Sequence, residues 1–139
     1  MRKNQKLECL YDYDFIVLAI NSHSKAYKLC WSINKRMGLN FELTNSHKTN
    51  GGLFFKRYKS VITNGRTLNL LENRSKNGYL IPSKKQINYF LIIDKDSWFI
   101  EKEGLLSQLR AINDILLVFE FNIDSEKNSD RFIIHDKKN

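Results

Sequence analysis

Proline occurs once in 139 residues, cysteine twice and glycine six times. So few prolines and glycines exclude a collagen-like or low-complexity chain, and a 42% hydrophobic content excludes wholesale disorder. Cys9 and Cys30 form no CxxC pair, so a structural zinc site lacks its ligand pattern. Nothing marks the chain as exported, and both thiols are expected to stay reduced in the cytoplasm. The longest apolar run, Phe15–Ile20, has six residues, against about 20 for a membrane-spanning helix. The basic opening Met1–Lys6 is followed by Glu8, Asp12 and Asp14, not by the apolar stretch of a secretory signal. No P-loop, no G-x-G-x-x-G and no G-x-S-x-G elbow occurs, which removes the commonest nucleotide and serine-nucleophile routes.

Positive charge, by contrast, is abundant. Lys and Arg number 23 against 15 Asp and Glu, a net charge of +8. Lys, Asn and Ile contribute 16, 15 and 14 residues, and their shared A/T-rich codons account for part of that basicity. Codon bias does not account for its placement. Residues 1–66 hold 12 basic and 4 acidic side chains, whereas residues 67–139 hold 11 of each. Within 21–66 there are nine basic residues and Glu42 as the one acid.

Periodicity places the elements. Leu10–Ile20 reads as a strand, and a helix over Lys25–Met37, capped by Ser22 or Ser24, ends at Gly38. On its wheel Ala26, Leu29, Cys30, Ile33 and Met37 share one arc, widened by Tyr27 and Trp31, with Lys25, Lys28, Lys35 and Arg36 opposite. Leu53–Ile62 and Thr67–Leu71 form a hairpin through Asn64-Gly65. Pro82 marks a strand end, Ile87–Ile93 an interior strand, Phe99–Ala111 a helix started by Asp94, Asp96 and Ser97, and Ile115–Phe121 a last strand. The order β-α-β-β-β-α-β predicts an α+β two-layer sandwich, a mostly antiparallel sheet with two helices on one face, ferredoxin-like or related. Residues 1–122 are expected to make the single domain. Residues 123–139 are expected to be a frayed polar tail, with an edge strand over Phe132–Ile134 as the alternative.

The localised charge predicts an anion-facing surface. Lys25, Lys28, Lys35 and Arg36 line the helix, and Lys56, Arg57, Lys59 and Arg66 belong to the hairpin. Such a surface fits the phosphate backbone of RNA or DNA or an acidic protein. A solvated helix face is the plainer account of the same residues. Tyr27 and Trp31 are expected to widen the buried stripe, and Phe54, Phe55 and Tyr58 lack the surrounding fingerprint of an RNA-recognition sheet. Asp12, Asp14, Asp94 and Asp96 make two D-x-D pairs whose convergence would suit a divalent metal, although Asp94 and Asp96 equally suit a helix start. His23, His47 and His135 show no ligand spacing, and Cys30 on the apolar arc is expected to be inert.

The segment Ile81-Pro82-Ser83-Lys84-Lys85-Gln86-Ile87-Asn88-Tyr89 resembles the one that names the IPExxxVDY family, small cytoplasmic proteins of Bacteroidota. The resemblance extends to Tyr11-Asp12-Tyr13-Asp14-Phe15, Leu29-Cys30-Trp31, Asn34-Lys35, Gly38-Leu39, Gly78-Tyr79-Leu80, Leu109-Arg110 and Phe119-Glu120, most of the chain from residue 10 to 121. It implies no established activity. Both acidic positions of the motif are neutral here, Ser83 and Asn88, so any chemistry those carboxylates perform elsewhere is absent. Ile81, Pro82, Ile87 and Tyr89 are therefore expected to be architectural, with Ile87 and Tyr89 on one face. The expectation is a non-catalytic protein without cofactor that binds RNA or an acidic protein through its basic half. Two alternatives stay open: a protein–protein adaptor or homodimer using a sheet edge or the aromatic hairpin, and a metal-dependent phosphoryl-transfer enzyme.

Overall fold

The computed structural model describes residues 13–62 and 66–135. Strand β1 (Phe15–Asn21) leads into helix α1 (Ala26–Met37), followed by the short strands β2 (Glu42–Leu43), β3 (His47–Lys48) and β4 (Phe54–Phe55). Then come β5 (Arg57–Val61), β6 (Thr67–Glu72), β7 (Arg74–Ser75), β8 (Gly78–Tyr79), β9 (Tyr89–Asp94), α2 (Lys95–Arg110) and β10 (Leu117–Phe121). Six strands form one sheet in the order β10-β1-β9-β6-β5-β2, every pairing in it antiparallel. The α+β class and the placement of two helices against a sheet therefore hold. Cys9, Asp12 and the Asn64-Gly65 turn lie outside the described residues, while the β5–β6 hairpin expected through that turn is formed.

The unbroken apolar runs of β1 and β9 follow from burial on both sides, since neither face needs a polar residue. Leu18 and Ile20 point to the helix side, where they meet Leu29, Ile33, Trp98, Leu105 and Leu109. Val17 and Ala19 point the other way, to Phe90, Leu80, Ile81 and Phe132. That second face is covered by connecting segments, so a third layer of loops is added to the expected two. The continuous strand expected over 53–62 is broken for the same reason. Phe54–Phe55 pairs with His47–Lys48 in the covering layer, and the main sheet resumes at Arg57.

The tail is part of this cover. Residues 123–132 form two short 3-10 turns in place of an edge strand. Phe132 is 0% exposed, its ring 4.9 Å from that of Phe90 and 6.0 Å from that of Phe121. Arg131 donates to Leu80 O at 2.8 Å, and its own carbonyl lies 2.5 Å from His47 Nε2, so one residue joins three covering segments. Ile81 and Ile87 are buried in this layer. Tyr89 faces the helices instead, so Ile87 and Tyr89 lie on opposite faces, and Pro82 opens a 3-10 turn.

Asn73 organises the long excursion between β6 and β9. Its amide nitrogen donates to Lys84 O at 2.9 Å and Ile87 O at 2.8 Å, and its Oδ1 accepts from the Ile81 N–H at 2.9 Å. The side chain is completely buried. Replacing Asn73 with Ala leaves the Ile87 carbonyl and the Ile81 N–H without these partners, each worth about 1–3 kcal/mol when buried, and strips one of the two donors from Lys84 O. Asn73→Ala is expected to lower stability by about 3 kcal/mol or more in urea titration. Phe132→Ala, read in the same titration, should cost about 3–5 kcal/mol; a frayed tail would show no loss.

Candidate anion-binding cleft

A cleft of about 570 Å³ opens at the end of the sheet where β1 and β6 finish and β5 and β9 begin. The start of α1 forms one wall. Lys25 occupies the N-cap position without any side-chain cap, and the first turn carries no acid. The expected caps are occupied elsewhere: Ser22 Oγ accepts from the Ser24 N–H, and Ser24 Oγ donates to Asp114. An uncapped helix start presents outward-pointing N–H groups and a partial positive charge.

Four exposed cationic side chains line this cleft: Lys25, Lys56, Arg74 and Lys85. Lys56 precedes β5, Arg74 follows β6, and Lys85 comes from the excursion that Asn73 closes. His23 and Tyr27 stand at the helix side, and Tyr58, Tyr79 and Tyr89 supply aromatic wall. Lys85 Nζ sits 5.5 Å from the centre of the Tyr79 ring. Tyr89 donates from its hydroxyl to Ser24 O at 2.6 Å, which pins the loop after β1 to β9. Asn88 Oδ1 accepts from the Ser22 N–H at 2.8 Å and fixes that loop from the other side.

Glu72 is the one acid among the described residues that line the cleft. Burial pushes its carboxyl above the ordinary value, opposed by the nearby Lys56 charge and by the Tyr58 hydroxyl, which donates to it at 3.4 Å. Burial, with the Glu72 charge second, raises Tyr89 to about 12 and moves Tyr58 the same way. Cys30 is pushed up to about 12 by burial and then by Glu72, which makes it a poor nucleophile. The cleft therefore offers fixed positive charge beside Tyr58 and Tyr89, whose hydroxyls hold their protons.

Only part of the expected basic surface reaches this cleft. Lys25 and Lys56 do. Lys28 turns to Asp114 at 3.2 Å; that carboxylate also accepts from Ser24 at 2.6 Å and Ser32 at 2.8 Å, contacts that hold it below its ordinary range, Ser24 first. Lys35 and Arg36 lie at the far end of α1, with Lys35 Nζ 4.9 Å from the Trp31 ring centre. Arg57 is 4% exposed and donates from Nε to Asn69 Oδ1 at 2.8 Å, so it is removed from the binding surface. Lys59 lies on the same side of β5, opposite Asn69 and away from the helices. The physical reason is strand alternation: odd positions of β5 face the loop layer, whose existence no local pattern announces. Arg66 is engaged with Ser97 Oγ at 3.0 Å.

Arg74 and Lys85 were not singled out by sequence. They sit in the half of the chain whose net charge is zero, so a count by segment conceals them; their flanking of the Ile81-Pro82 segment is the one available cue. The expectation for the aromatics is also corrected. Tyr27 is 72% and Trp31 56% exposed, because α1 buries one narrow arc against the sheet, Ala26, Leu29, Cys30 and Ile33. Tyr27 at the cleft wall, Trp31 one turn on and Lys35 one turn further make a continuous exposed stripe.

Of the four carboxylates in the metal reading, Asp12 lies outside the described residues, so the structure describes Asp14, Asp94 and Asp96 alone. The ends of β1 and β9 do meet, with Phe15 opposite Asp94. Asp94, however, accepts from the Ser97 N–H at 3.0 Å as the cap of α2. No group of three or more His, Cys, Asp or Glu side chains able to hold a metal ion occurs among the described residues. No protein-family model matches this chain, and no curated protein matches it either.

Glu72 yields a pH prediction. Its folded-state pKa lies above the ordinary 4.5, so the folded state favours the protonated form. That stabilisation is complete below the ordinary value and is lost as pH rises through the raised one. Glu72→Gln has no such loss. The melting temperature of the variant should match wild type in acid and exceed it at neutral pH, measured by circular dichroism across that window.

Proposed function

We propose that the protein binds single-stranded nucleic acid, RNA in the first instance, as a non-catalytic cytoplasmic module. The observation that carries this reading is the convergence of Lys25, Lys56, Arg74 and Lys85 on one cleft beside the exposed pair Tyr27 and Trp31. Phosphodiester groups are drawn by clustered cations and an uncapped helix start. Unpaired bases have flat faces that stack on exposed aromatic rings, which is how strands are gripped without reading sequence. A duplex hides those faces, so the aromatic stripe favours a single strand. The resemblance to the IPExxxVDY family belongs to the same proposal and rests on the residues quoted above. In this setting Ile81, Pro82 and Ile87 shape the loop that presents Arg74 and Lys85 to the ligand.

Fluorescence anisotropy with a labelled single-stranded RNA tests the proposal. Four phosphate contacts predict that log affinity falls against log salt with a slope of about −3. Charge reversal in Arg74→Glu/Lys85→Glu should weaken binding at least tenfold and flatten that slope. Trp31→Ala should remove about 1–3 kcal/mol of stacking with the slope unchanged. Lys127→Glu in the tail serves as the control. Equal affinity for wild type and the Arg74/Lys85 double variant would reject the reading.

A further inference from the structure

The six-stranded sheet has two edges of unequal character. β2 spans two residues, Glu42–Leu43, whereas β10 presents five, Leu117–Phe121. Native edges of that length are usually shielded by lysine, proline or a bulge. β10 contains neither proline nor lysine, and it exposes Leu117 at 53% and Phe119 at 37%.

The bonding of β1 fixes which backbone groups of β10 face outward. The Lys95 N–H donates to Asp14 O and the Asn88 N–H to Ile20 O, so even-numbered residues of β1 turn their backbone toward β9. The Leu116 N–H donates to Asn21 O, so odd-numbered ones face β10. Val118 and Glu120 stand opposite Ile20 and Leu18. Their N–H and C=O groups therefore point away from the sheet. Arg110 Nη2 reaches the Val118 carbonyl at 3.3 Å, as that outward direction requires.

We propose that the protein forms a two-fold homodimer in which β10 pairs antiparallel with β10 of a second copy, centred on Phe119. In that register Val118 of each copy faces Glu120 of the other, and each such pair exchanges both backbone hydrogen bonds. Phe119 meets Phe119 of the second copy as the close, non-hydrogen-bonded pair on the loop side of the sheet. On the helix side, the Glu120 carboxylate falls over Val118 of the second copy, where Arg110 of that copy already lies. Glu120 has no ion pair among the described residues. The edge is thus complementary to itself: Glu120 of each copy meets Arg110 of the other across the axis, as an isologous interface demands. A second copy satisfies this arrangement without any foreign strand, and the β10 edge is separate from the cleft, so the proposal stands apart from nucleic-acid binding.

Sedimentation velocity of the nuclease-treated full chain, from micromolar to millimolar protein, tests it. Wild type should sediment as a monomer–dimer equilibrium. Glu120→Arg and Arg110→Glu should each weaken association at least tenfold, and the double exchange Glu120→Arg/Arg110→Glu should restore it. Both positions are solvent-exposed, so the folding of these variants is checked by their melting curves. A second measurement is independent of charge: Phe119→Cys in a Cys9→Ser background should oxidise to a covalent dimer, since only this register brings residue 119 against itself. Monomer at every concentration overturns the proposal. So does a dimer indifferent to Glu120→Arg, or one the double exchange fails to rescue.

Discussion

The covering layer and one wall of the cleft depend on the side chain of Asn73. A carboxamide carries two donors and an acceptor on one rigid group, and here all of that capacity is directed at the backbone of a single excursion. The Nδ2 donors hold Lys84 O and Ile87 O, and Oδ1 holds the Ile81 N–H. Its own backbone adds bonds from the Leu80 N–H and to Asn88 O. No regular strand pairing would bring residues 80, 84 and 87 to one point. Aspartate has no donors, and glutamine would carry the group too far. With the excursion closed, Leu80, Ile81 and Ile87 seal the second face of the sheet, while Arg74 and Lys85 are left at its rim.

The sheet also explains why charge is distributed as it is. α1 presents its lysines outward, but Asp114 draws Lys28 into a small polar knot with Ser24 and Ser32. Arg57 is drawn inward, with Asn69 as its buried partner. What reaches the cleft is a smaller set than the composition promises, drawn from both halves of the chain. Glu72 within that set moderates the positive field, and its burial makes the moderation dependent on protonation.

Much of the fold is legible locally. The near-continuous apolar runs of β1 and β9 announce strands of the sheet interior, and Gly38, in the left-handed conformation with φ 66°, ends α1 where the pattern places it. Asp94 starts α2 as its position before Ser97 indicates. The candidate site is legible only in part. Lys25 and Lys56 are accessible to a count of charges, whereas Arg74 and Lys85 are not, because a balanced segment can still place its cations on one side. Tyr27 and Trp31 illustrate the limit of a helical wheel: a sheet covers the stripe at i, i+3, i+4 and i+7, and residues 100° away stay in water.

The sequence by itself determined the two helices, the long strands of the sheet, the α+β class and the excess of positive charge, because these follow from periodicity, turn chemistry and composition along neighbouring residues. Tertiary structure alone decided that the second face of the sheet is covered, that Arg57 is buried, that the tail is anchored through Phe132, and that four cations from four segments meet at one cleft. Each of these is a relation between residues distant in the chain. It arises from closing loops over a common surface, and no local pattern encodes which loop closes over which face.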